Sequence, residues 1–126
     1  MKKIEFFYCP YCHNLVWIID NSEVPMVCCG EEMIKLETNV TDGAVEKHVP
    51  EVLVGDKKIL VKIGSVLHPM TEQHHIEWIM MQTNKGVYFK KLNPGDSPET
   101  DFVLNDETPI AIYDYCNLHG LWKKVL

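Results

Sequence analysis

Apolar residues along this chain come in short runs, and the runs do not repeat at helical spacing. No stretch longer than two turns places apolar side chains at i, i+3, i+4 and i+7. Segments of strand character recur instead, at residues 4–8, 15–19, 33–36, 59–63, 76–81, 87–92, 102–104 and 110–115. Turn chemistry separates them. "VGDKK" at 54–58 and "TNKGV" at 83–87 predict hairpin turns, and "NPGDSP" at 93–98 predicts a loop. Short strands at this spacing predict an all-β protein, an antiparallel sandwich or barrel.

The pattern changes character near residue 37. Four cysteines lie before it in a turn-rich segment, and "ETNVTDGAVEKHVPE" after it is a polar connection into the strand-rich part. A boundary at 37–40 is therefore expected, dividing the chain into domains 1–37 and 38–126. A lobe of about 37 residues cannot bury enough apolar surface to fold alone, and metal cross-linking is the usual remedy.

Composition narrows the function. Of 126 residues, 46% are hydrophobic and 24% charged, enough for a real core. The net charge of −6 leaves no basic stripe for phosphates, which argues against nucleic-acid binding. A small anionic substrate stays open, because local field matters more than total charge. No run of 18 apolar residues is present, so no membrane span is expected. The N-terminal "MKKIEFFYCPYC" does not read as a signal peptide, and the expected compartment is the cytoplasm. Thiols stay reduced there, so the five cysteines read as metal ligands before disulfides.

Cys9-Pro-Tyr-Cys12 has the spacing of a metal knuckle, and Cys28-Cys29 follows as an adjacent pair. Adjacent residues cannot form a second knuckle, so the tetrahedron is expected to be distorted. A disulfide between them would be strained. Spacing leaves zinc and iron both open.

A second constellation joins histidines to the fifth cysteine. His48 lies in "EKHVP", His68 and His74 in "HPMTEQHH", and Cys116 and His119 in "CNLHG". If these loops meet at one end of a sandwich, four imidazoles and one thiolate converge. Five such donors suit iron and leave one octahedral position open. Neighbours on a strand point to opposite faces, so only one of His74 and His75 is expected to reach the metal. The spacing from His68 favours His74. His13, beside Cys12, reads as an exposed residue or as a hydrogen-bond donor to the thiolates.

Together these residues resemble the superoxide reductases, and among them the longer desulfoferrodoxins. Cys9, Cys12, Cys28 and Cys29 match the family's desulforedoxin-like lobe. "EKHVP", "HPM" with a second histidine, "CNLHG", "IEW" at 76–78 and "PGD" at 94–96 match its neelaredoxin-like catalytic domain. Three positions depart from the common pattern. His13 stands where glycine is common, Leu67 where proline is frequent, and His75 where tryptophan is frequent.

The resemblance implies a desulforedoxin-like lobe followed by an immunoglobulin-like antiparallel β-sandwich, with two irons per chain. One iron sits in Cys9, Cys12, Cys28 and Cys29. The other has His48, His68, His74 and His119 in its plane and Cys116 on its axis. It implies reduction of superoxide to hydrogen peroxide by one electron without oxygen release. Lys47 then attracts the anion and helps deliver a proton, and Glu46 closes the vacant position between turnovers. A small rubredoxin-like electron donor and a homodimer are implied with it. Two other classes compete: a non-catalytic electron-transfer iron protein, and a zinc-stabilised β-sandwich acting as an interaction module. A dismutase is a further possibility, marked by oxygen release.

Overall fold

The structure is a computed structural model, and it describes residues 3–40 and 43–126. Thr41 and Asp42, inside the polar connection read from the sequence, lie outside the described residues, as do Met1 and Lys2. The chain divides into two compact units, Met1–Glu37 and Thr38–Leu126.

The first unit is built from very short strands. β1 (Glu5–Tyr8) pairs with β2 (Leu15–Ile18). β3 (Val27–Cys28) and β4 (Glu31–Glu32) form a two-stranded ribbon. β5 (Ile34–Lys35) joins the other edge of β1. Among the described residues of this unit, only Phe6 and Cys9 are buried hydrophobics, while Trp17, Ile19, Val24, Val27 and Ile34 stay exposed. Apolar burial is thus small here.

The second unit opens with α1 (Val45–His48), a single helical turn. β6 (Pro50–Val54) and β7 (Lys58–Ile63) follow as a hairpin closed by the Gly55 amide on the Lys58 carbonyl at 2.8 Å. β8 (Ile76–Thr83) and β9 (Val87–Lys91) form a second hairpin, closed by the Thr83 amide on the Gly86 carbonyl at 2.9 Å. β10 (Glu99–Val103), β11 (Pro109–Cys116) and β12 (Gly120–Val125) complete the unit. Both hairpins fall where the turn motifs predict them. α1, β6 and β12 were not anticipated from the pattern.

These strands make two antiparallel sheets, β10-β7-β6 and β12-β11-β8-β9. β7 alternates exposed and buried along "KILVKI", so Ile59, Val61 and Ile63 face inward. They meet Phe102 of β10, Ile79 and Met81 of β8, and Ile112 and Cys116 of β11 in one core. The result is an immunoglobulin-like sandwich of three and four strands. Ile79→Ala, at a fully buried position in the core between the two sheets, is expected to cost about 3 kcal/mol by leaving a cavity. Urea unfolding, read as a lower midpoint with an unchanged slope, checks this.

Strand direction gathers chemistry at one end. Pro50 pairs with Ile63, so β6 starts where β7 ends. Cys116 pairs with both Ile76 and Gly120, so β11 ends where β8 and β12 start. The loops that carry the histidines all leave from these termini.

Candidate metal centres

In the first unit, one sulfur from each of Cys9, Cys12, Cys28 and Cys29 lies within 4.8 Å of the others. All are free thiols. The Cys12 and Cys28 sulfurs are 3.5 Å apart, and the Asn14 amide donates to the Cys28 sulfur at 3.6 Å. The Cys9 thiol is pushed down because the backbone N–H groups of Cys12 and Tyr11 aim at its sulfur. Cys28 and Cys29 are pushed up, chiefly by their hydrogen bonds with Cys12 and Cys9. One thiolate is therefore easy to form and the next ones are not. A cation that replaces the remaining protons suits this set. His13 takes φ of +67°, a conformation uncommon for a residue with a side chain, and accepts a short hydrogen bond from the Tyr8 hydroxyl at Nδ1.

In the second unit four imidazoles stand at the corners of a square. Neighbouring ring centroids are 4.6 Å apart for His48–His68, 4.6 Å for His68–His74, 5.0 Å for His74–His119 and 4.8 Å for His119–His48. Each neighbouring pair is edge-on, between 73° and 86°. His48 and His74, across the diagonal, are 6.2 Å apart and nearly parallel at 29°. The Cys116 sulfur is within 4.8 Å of donor atoms on His48, His68 and His74 and 3.8 Å from His119 Nδ1.

Hydrogen bonds decide which nitrogens face the centre. His48 Nδ1–H donates to the Ala44 carbonyl at 2.6 Å, and His68 Nδ1–H to the Pro69 carbonyl at 2.7 Å. With those protons spoken for, both Nε2 atoms carry lone pairs, yet they stand 3.1 Å apart. His119 Nδ1 is 3.1 Å from the same His48 Nε2. His74 Nε2 is buried with no hydrogen-bond partner. Lone pairs converging in a buried place repel unless a cation lies between them, so this set fits a metal ion. Burial pushes His48, His68 and His74 toward the neutral, metal-binding form, His68 down to about 4.

Cys116 is fully buried at the end of β11. The pairing of β11 with β8 slips between Tyr115↔Trp78 and Cys116↔Ile76, leaving Glu77 opposite no residue of β11. Such a bulge re-aims the side chain beside it. Burial pushes the Cys116 thiol up, while the backbone N–H groups of Leu118 and His119 pull it down. A nearby cation would complete the balance in favour of thiolate.

The sequence matches the desulfoferrodoxin family over residues 40–125. The chain belongs to the desulfoferrodoxin family. It is 44% identical over 122 residues to a desulfoferrodoxin of Syntrophotalea carbinolica, covering 97% of this chain and 96% of that one. A desulfoferrodoxin of Nitratidesulfovibrio vulgaris is 42% identical over 122 residues, at 97% and 96% coverage. The crystal structure of the superoxide reductase from Treponema pallidum superposes with a TM-score of 0.81 at 34% identity, covering 98% of this chain and 99% of that one.

In this member of the desulfoferrodoxin family, the remaining residues singled out from the sequence fall as follows. Glu46 and Lys47 both sit on α1 directly before His48, Glu46 exposed and Lys47 half-buried. His75 turns away from the imidazole square and donates Nδ1–H to the Thr71 carbonyl at 3.0 Å. Leu67 is exposed beside His68.

Sequence reasoning missed the supports of the candidate centre in this desulfoferrodoxin. Trp122 stacks on His48 at 4.7 Å and donates its indole N–H to the His119 carbonyl at 3.1 Å. Asn117 clips two of the loops that carry these histidines together. Its side chain accepts from the His75 amide at 2.9 Å and donates to the Gln73 carbonyl at 3.0 Å. The only signal for Trp122 was its place three residues after His119. Asn117 looked like an ordinary turn residue. No helix of the described chain is long and apolar enough to cross a membrane.

Proposed function

We propose that this chain reduces superoxide to hydrogen peroxide at an iron ion held by His48, His68, His74, His119 and Cys116. The overall change takes up one electron and two protons per superoxide and releases no oxygen. The observation that carries this reading is the square of four imidazoles with one buried sulfur in reach of all of them. Four ring nitrogens and one sulfur would hold iron and leave it able to take a further small ligand.

Iron held there supplies the single electron that superoxide accepts. The chain's own residues do the rest. The Ala44 and Pro69 carbonyls keep His48 and His68 in the tautomer that presents Nε2. Lys47 places a cation next to His48, which draws a small anion inward and supports proton delivery. Glu46, a hard carboxylate donor on the same turn, closes the site between turnovers. Cys9, Cys12, Cys28 and Cys29 hold a second iron in the first unit. A small rubredoxin-like protein supplies electrons, and the working form is a cytoplasmic homodimer.

The decisive experiment feeds superoxide to the reduced protein and counts products. One hydrogen peroxide per electron consumed, with no oxygen, is expected. Oxygen release marks a dismutase instead, and no consumption of superoxide marks an electron-transfer or interaction role. Cys116→Ser should abolish the sulfur-to-metal absorption band of this centre. A band that survives the substitution overturns Cys116 as the sulfur donor.

A further inference from the structure

Glu46 and Lys47 ride on a helix of one turn, and a turn that short has no stability of its own. It has no side-chain N-cap either. What holds it is the chain just after β7. The Val66 amide donates to the Glu46 carbonyl at 3.0 Å, and the Ser65 hydroxyl donates to the same oxygen at 3.2 Å. The Gly64 amide donates to the Val49 carbonyl at 3.2 Å, just past the end of the turn.

Gly64 makes the approach possible. It has φ of +86°, and a Cβ placed on it would meet the Val66 carbonyl at 2.4 Å, the Lys47 carbonyl at 2.7 Å and the Glu46 carbonyl at 2.8 Å. Backbone therefore packs on backbone with no side chain between. Glu46 and Ser65 also line one surface cleft of about 350 Å³.

We infer that Ser65, seated by Gly64, is a positioning residue that fixes the backbone from which the Glu46 carboxylate reaches the catalytic centre. This rests on the role proposed above for Glu46. A glutamate side chain turns about three bonds, so its aim is only as good as the anchoring of its own peptide. His48 depends less on this clasp, because the Ala44 carbonyl orients its ring separately.

The test is a double-substitution cycle read by azide binding to the iron(III)-loaded protein. If Glu46 competes with added anions for the open position, Glu46→Ala tightens azide binding. Ser65→Ala is then expected to tighten it about three- to tenfold, the effect of one hydrogen bond. The double variant should match Glu46→Ala alone, and Ser65→Thr, which keeps a hydroxyl, should restore the original affinity. Iron content and the sulfur-to-metal band should stay unchanged in Ser65→Ala. The inference is overturned if Ser65→Ala leaves azide affinity unchanged while Glu46→Ala alters it. It is equally overturned if Ser65→Ala acts undiminished in the Glu46→Ala background, or if it loses iron. Unchanged affinity in Glu46→Ala itself overturns the role of Glu46, and the inference with it.

Discussion

Removing metal from the four-cysteine unit, with a chelator under reducing conditions, is expected to unfold residues 3–37 and leave the sandwich folded. The unit buries Phe6 and Cys9 while Trp17, Ile19, Val24 and Val27 remain exposed. Burying one phenylalanine contributes roughly 1.5 to 3 kcal/mol. Ordering each residue's backbone costs about 1 to 2 kcal/mol. A cross-link among four sulfurs is the remaining source of stability, and without it those thiols crowd within 4.8 Å of each other for no gain. The sandwich differs, because Ile59, Ile63, Ile79, Met81 and Ile112 give it a core of its own. Amide NMR checks this directly. Signals from 3–37 should collapse to the random-coil range while those from the sandwich stay dispersed. Dispersed signals from 3–37 in protein shown to be metal-free would mean that the fold of this unit does not need the cross-link.

The difference in thermal unfolding midpoint between Asp114→Asn and the unsubstituted protein is expected to move in favour of the variant as pH rises. Asp114 is fully buried on β11, and neither carboxylate oxygen has a hydrogen-bond partner. Burial pushes its pKa well above the usual carboxylate range. The folded chain thus keeps a proton that the unfolded chain releases above about pH 3.9. With more protons bound in the folded state, stability is full below that pH and falls as pH rises toward the folded pKa. The loss is about 1.4 kcal/mol per pH unit across that window. Asparagine does not ionise, so the two melting curves should lie closest at pH 4 and diverge as pH rises through the range in which the folded carboxyl keeps its proton. The slope of the difference carries the prediction, since the amide brings hydrogen-bonding needs of its own. A difference that does not change with pH would show Asp114 ionised and stabilised in place.

Much of this was legible in the sequence for identifiable reasons. Strand β7 alternates cleanly, and Asp56 and Asn84 sit in turns between apolar runs, so both hairpin turns could be read. The two clusters were legible because cysteine and histidine at short spacings have few other uses. What escaped was decided by distant contacts. β6 presents Leu53 and Val54 to the outside, so it lacks the alternation of a half-buried strand. β12 carries Lys123 and Lys124 in its second half. α1 is too short for any helical period. The acceptors that orient His48 and His68 are backbone carbonyls of Ala44 and Pro69, and no side-chain pattern announces a carbonyl. Asp114 looked like any acid on a strand until the sheet turned it inward.

The aim of those two imidazoles has a further consequence. Each is held by a carbonyl no more than four residues away, so its direction belongs to its own segment and not to the ion. An emptied centre keeps half its compass. Two of the four donor rings would thus be aimed before any ion arrives, which lowers the ordering cost of binding one.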